Sequence, residues 1–260
     1  MLGGRPVRLL PPLLLAVAPA LGDAEPAQEA ETKPVPPGEV VVGEAGVKVE
    51  DPAVARDKVQ RFQDAYKAAE EDVAKADVVR KLGDWDHPEI LKALAKLLDD
   101  RNRFVAVEAA LACARQGDAA KAGAALHRAL QNEKRPDVAC ALLVALGRTG
   151  HTRAYRDAEK WFRKDTAEPR KAAARYFGAT KAKEAFRLLA EQLDEPRPAR
   201  IDDPKNPPAS WWKERWEEWN SNLPYVRKAL SELVPGETFD TRQEAEEWAR
   251  AEGRKHGIEW

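Results

Sequence analysis

Val138-Ala139-Cys140-Ala141-Leu142-Leu143-Val144-Ala145-Leu146-Gly147-Arg148-Thr149-Gly150 decides the fold. It is apolar and rich in small residues, and it stops at a glycine. Its Leu146-Gly147 pair has counterparts at Leu82-Gly83, Cys113-Ala114 and Phe177-Gly178, at successive offsets of 31, 33 and 31 residues. Three positions before each pair stand Val79, Ala110, Leu143 and Ala174. Nine, twelve and sixteen positions after each pair's first member the chain is again apolar: Leu91, Leu94, Leu98; Ala122, Ala125, Ala129; Tyr155, Ala158, Phe162; Phe186, Leu189, Leu193. At 100° per residue these offsets fall on one side of a helix, and the alternation by two that a strand requires is absent. Four units of about thirty residues, each two helices, make an all-α solenoid over 73–195. Residues 52–195 should therefore form paired antiparallel helices with no sheet.

The punctuation agrees. Gly83, Gly117 and Gly150 cut the turns, as residues that tolerate a left-handed backbone at a helix end. Pro136 and Pro169 sit where a first helical turn needs no amide donor. Ala109, Ala110, Ala112, Ala114 and Ala172, Ala173, Ala174 allow helices to approach closely. The quoted segment, with Asp84-Trp85-Asp86-His87-Pro88-Glu89-Ile90-Leu91, resembles bacterial HEAT-like repeats. The thirty-residue signatures of ankyrin and tetratricopeptide repeats are missing. The tail from Asn206-Pro207-Pro208-Ala209-Ser210-Trp211-Trp212 to Trp248 resembles the end region of exported bacterial HEAT-repeat proteins of unknown role. The resemblance implies a protein-interaction scaffold and supplies no catalytic residues.

Both ends carry segments of their own. Residues 1–24 read as a signal peptide: Arg5 and Arg8 precede an apolar run from Leu9 to Ala20, and Gly22 and Ala24 fit the cleavage site. The mature chain is then expected in the periplasm or outside the cell. Residues 25–50, rich in Pro, Glu, Ala and Val, read as a flexible linker. Residues 51–72 read as a capping helix whose apolar stripe is Val59, Phe62, Tyr66, Ala69 and Val73. A Pro-rich linker over 196–209 leads to a Trp-rich helical cap over 210–260. There Ser210 offers an N-cap, Asn222 with Pro224 suggests a restart, and Thr241 with Glu244 forms a capping box.

Charge and chemistry narrow the function. The charged fraction is 33% and the net charge −1. Loss of Arg5, Arg8 and Asp23 with the signal would leave −2, a balance with no general attraction for nucleic acid or membrane. Cys113 occupies a core position, and repeat geometry places Cys140 too far away for a disulfide, so both should be free thiols. His87 and His151 share a turn position two repeats apart, with Asp118 between them; they should serve helix starts. His127 and His256 lack a partner at metal-ligand spacing, so no metal and no cofactor are expected. Asp202-Asp203 reads as a solvated loop pair. No nucleophile motif or phosphate-cradling glycine loop occurs, which leaves an enzyme, such as the chromophore lyases with similar repeats, without residues to carry it.

Two surfaces stand out. On the second helices, the side away from the core carries Lys92, Lys96, His127, Arg153, Arg156, Lys160, Lys164 and Arg187, with Ala120 and Gly123 leaving a shallow gap beside them. In HEAT-like solenoids that side is concave, so these residues would line a basic groove for an acidic protein segment or an acidic glycan. A solvated charged face is the plainer alternative. Trp211, Trp212, Trp216 and Trp219 fall within one 140° arc. They read first as a cap over the end of the solenoid and second as a platform for sugar rings or a peptide.

Overall fold

The computed structural model describes residues 43–164, 166–198 and 205–260. The expected signal peptide, most of the expected 25–50 linker, and Asp202-Asp203 lie outside the described residues. The rest is an all-α solenoid. Helix α1 (Pro52–Ala68) leads into four pairs: α2 (Asp72–Leu82) with α3 (Pro88–Ala95), α4 (Arg103–Ala114) with α5 (Ala119–Asn132), α6 (Pro136–Arg148) with α7 (Tyr155–Phe162), and α8 (Ala167–Thr180) with α9 (Phe186–Ala190). Helices α10 (Ala209–Leu233) and α11 (Arg242–Ala251) complete the described chain.

The first helices form a continuous layer in which α2, α4, α6, α8 and α10 pack in that order. The repeated anchors Val79, Ala110, Leu143 and Ala174 are all fully buried in it. Small residues set the spacing. A Cβ on Gly147 would come within 3.3 Å of the Ala179 Cβ, and one on Gly178 within 3.1 Å of the Ala229 Cα. The second helices meet one another much less. Their starts differ by repeat. His87 and Asp118 cap α3 and α5 through side-chain bonds from Glu89 N (3.1 Å) and Lys121 N (3.0 Å), while Thr152–Ala154 and Lys183–Ala185 open the last two with a 3-10 turn.

The turn glycines play different parts from those expected. Gly150 is left-handed, with φ +65°. Gly83 is not, at φ −65°; its value is space, since a Cβ there would lie 2.5 Å from the Ala112 Cβ. In the fourth repeat the left-handed position falls on Lys181, with φ 52°.

A short sheet replaces the end of the expected linker. Strand β1 (Val47–Lys48) runs parallel to β2 (Trp85–Asp86). Gly46 N donates to Arg115 O at 3.0 Å, Val47 N to Asp84 O at 2.8 Å, and Val49 N to Asp86 O at 3.0 Å. Residues 46–49 are thus a strap across the first two repeats, with the Val49 side chain buried. At the N-terminal cap, Phe62 is buried and Tyr66 donates to Asp100 Oδ2 at 3.0 Å. Val73 falls in α2 and is 57% exposed, because the helix breaks after Ala68.

The C-terminal helix also departs from expectation. It begins at Ala209 behind Pro208, without a capping side chain from Ser210, and runs unbroken through Asn222 and Pro224 to Leu233. A proline inside a helix costs about 3 kcal/mol. Burial of Val226, Leu230 and Leu233 against the stack, at about 1.5–3 kcal/mol each, more than offsets that. The capping box of Thr241 and Glu244 forms at the start of α11.

Candidate functional site

Of the predicted basic residues, Lys92, Lys96, Arg153 and Arg156 are exposed, and no ion pair engages them among the described residues. The others are already occupied. Lys160 Nζ donates to Asp157 Oδ1 at 2.9 Å. Lys164 sits 3.2 Å from the centre of the Trp161 ring. Arg187 Nε donates to Glu191 Oε1 at 3.3 Å, with its guanidinium 5.8 Å from the Trp260 ring centre. The surface is therefore basic in patches, and four of its cations can take a carboxylate without breaking an internal bond.

The shallow gap expected at Gly123 is filled. A Cβ on Gly123 would lie 2.8 Å from both Cβ and Nδ1 of His151, so the missing side chain makes room for that ring. His151 holds the same turn position as His87 and Asp118 but makes no capping bond. It turns toward His127, one helical turn beyond Gly123 on α5. The ring centres are 5.3 Å apart, and His151 Nε2 stands 3.4 Å from His127 Nδ1. His127 Nε2 in turn meets Asp157 Oδ2 on α7 at 3.0 Å. Burial pushes the Asp157 carboxyl up, but the bonds from Lys160 and His127 outweigh it and hold the group below its ordinary range. Burial, then the charges of His127 and Arg153, lower His151. Sequence reading gave His127 no partner, because its contacts come from the next repeat at non-equivalent positions. The signal present was Gly123, the one glycine inside a second helix, four residues before a histidine.

The four tryptophans are covered only in part. Trp211 is 37% and Trp216 is 41% exposed, while Trp212 and Trp219 are half-buried. Trp211 and Trp212 meet edge to face at 4.7 Å, and Trp219 Nε1 donates to Gln192 O at 2.9 Å. The cap is the other half of α10, where Asn222, Val226, Ala229, Leu230 and Leu233 are buried. Trp216→Ala should accordingly cost about 1 kcal/mol in chemical denaturation, well short of the ~3–5 kcal/mol of a core aromatic. A depression of about 710 Å³ adjoins Trp219, bordered by Asp194, Arg197, Arg242 and Glu246.

The cysteines are as expected. Cys113 and Cys140 are free and buried, and burial pushes both thiols up to about 12, so neither is a nucleophile at neutral pH. Among the described residues no three His, Cys, Asp or Glu side chains are grouped to hold a metal ion. Nor is any described helix long and apolar enough to cross a membrane.

The chain has no significant match among curated proteins. A family model described as HEAT repeats matches residues 59–139, from within α1 to the first turn of α6. Such repeats commonly mediate contacts between proteins and are typically scaffolds without catalytic residues. The match and the stacked helical pairs together support a HEAT-like repeat protein.

Proposed function

We propose that this chain is a non-catalytic, exported scaffold that holds an acidic segment of another protein along its second helices, on a concave face. The observation that carries this reading is the set of unpaired, exposed cations Lys92, Lys96, Arg153 and Arg156. On the first helices Arg80, Arg103, Arg170 and Lys171 already have a carboxylate within 4 Å, while Lys81 and Arg148 are also exposed without an ion pair among the described residues. The looser packing between second helices leaves an extended segment room to lie across them. The leader-like residues 1–24 support export to the periplasm or beyond. The near-neutral net charge of −1 argues for local recognition rather than bulk attraction to nucleic acid.

The test uses a glutamate-rich synthetic peptide and an envelope extract. Arg153→Glu with Arg156→Glu should weaken capture of the peptide at least about tenfold. Stability should change by no more than about 0.5 kcal/mol, since neither side chain has an internal partner. Binding to the parent chain should fall as salt rises, because exposed charges are screened beyond about 8–10 Å at moderate ionic strength. Unchanged affinity and salt dependence in the double variant would make the patch a solvated face.

Exposure of Trp211 and Trp216 favours one alternative, a glycan-binding module in which sugar rings stack on these indoles. Retention on polysaccharide that survives Arg153→Glu with Arg156→Glu but is lost in Trp216→Ala would select it.

A further inference from the structure

The cluster of His127, His151 and Asp157 joins two repeats through polar groups, and a hydrogen-bonded relay explains only part of it. The contact between His127 Nδ1 and His151 Nε2, at 3.4 Å, is longer than an N–H···N bond prefers. It is close to the separation of two nitrogens bound to one tetrahedral ion. With each about 2.0–2.1 Å from the metal, two such ligands lie about 3.3–3.4 Å apart. The far nitrogen of His127 is held by Asp157 Oδ2 at 3.0 Å. That bond puts the proton on Nε2 and leaves the Nδ1 lone pair aimed at His151. Metal-binding histidines are commonly held in this way by a carboxylate, which fixes the tautomer and makes the ring a better donor. Gly123 provides the space that brings the second ring into place.

We propose that His127 Nδ1 and His151 Nε2 are the two protein ligands of a transition-metal site between the second and third repeats, with water filling the remaining positions. Asp157 is a positioning residue. Its two oxygens are taken by His127 and by Lys160, so it orients the imidazole rather than binding the ion. The surroundings choose the class of metal. Two neutral imidazoles, with both Asp157 oxygens engaged, offer nothing to magnesium and calcium, which take oxygen ligands. Zinc, nickel and copper, which bond strongly to neutral imidazole, are the ions two histidines can hold there. The cluster is reachable, since both histidines are partly exposed.

The test uses the tag-free full chain and metal salts alone. Calorimetry with zinc chloride or nickel chloride should show one binding event that magnesium and calcium chloride do not produce. His127→Ala and His151→Ala should each weaken it at least about tenfold, and Asp157→Asn by about 10–100-fold. Zinc should also shift the side-chain ¹⁵N resonances of His127 and His151 in the parent chain and leave those of His87 and His256 in place. The proposal fails if His127→Ala with His151→Ala keeps its helical circular dichroism and binds zinc as tightly as the parent. If that variant does not fold, the resonances of the parent decide: no shift at His127 and His151 on zinc addition overturns the site.

Discussion

Phe177→Ala lowers the stability of the stack by about 3–5 kcal/mol in urea or guanidinium denaturation. Phe177 is fully buried between α8 and α7, with its ring centre 5.5 Å from that of Tyr155, 5.7 Å from Phe162 and 5.8 Å from Tyr176. Truncation removes those contacts at once. It leaves a cavity that α8, held between α6 and α10, cannot collapse to fill. Tyr176 beside it donates to the carbonyls of His151 (2.9 Å) and Thr152 (3.0 Å), which pins the turn below. Retention of parent-like stability would mean that this aromatic cluster is not the centre of the core.

Gly83→Ala comes second, at about 1–3 kcal/mol of destabilisation. At φ −65° the backbone accepts alanine without strain, and in a helix that exchange is ordinarily favourable by up to about 1 kcal/mol. Here the new methyl meets Ala112 at 2.5 Å, on a neighbouring helix with no rotamer to change, so α2 and α4 must part. The same shift loosens the strap, since Gly46 packs against the Gly83 carbonyl. A gain in stability would show that the two helices have slack between them.

Repetition made most of the fold legible. Each anchor position occurs four times, so Val79, Ala110, Leu143 and Ala174 support one another even though two are only alanine. What occurs once was harder to read. The strap pairs two residues on each side and has no period to detect. Pro224 signals a break locally, but the burial of Val226, Leu230 and Leu233 lies outside any local window and overrides it. The tryptophan arc has the spacing of a core stripe. Its half of α10 meets the stack only in part, so spacing alone did not settle burial. The histidine cluster was hidden for another reason: repeat logic compares equivalent positions, whereas His127 and His151 meet from different positions in successive units.

The two layers of helices differ in how readily they yield. The first helices touch through alanine and glycine backbones, where there is little to compress and much to lose by separation. The second helices meet one another less, through side-chain contacts such as His127 on α5 to Asp157 on α7. On packing grounds such a stack should yield less along the first helices than along the second, like a spine with ribs, so that bending would open or close the spaces between second helices. Anything lying across several second helices, whether a peptide or an ion joining α5 to the turn before α7, couples directly to that bending. Occupancy would therefore be felt as a change in curvature along the whole array rather than at the contact alone.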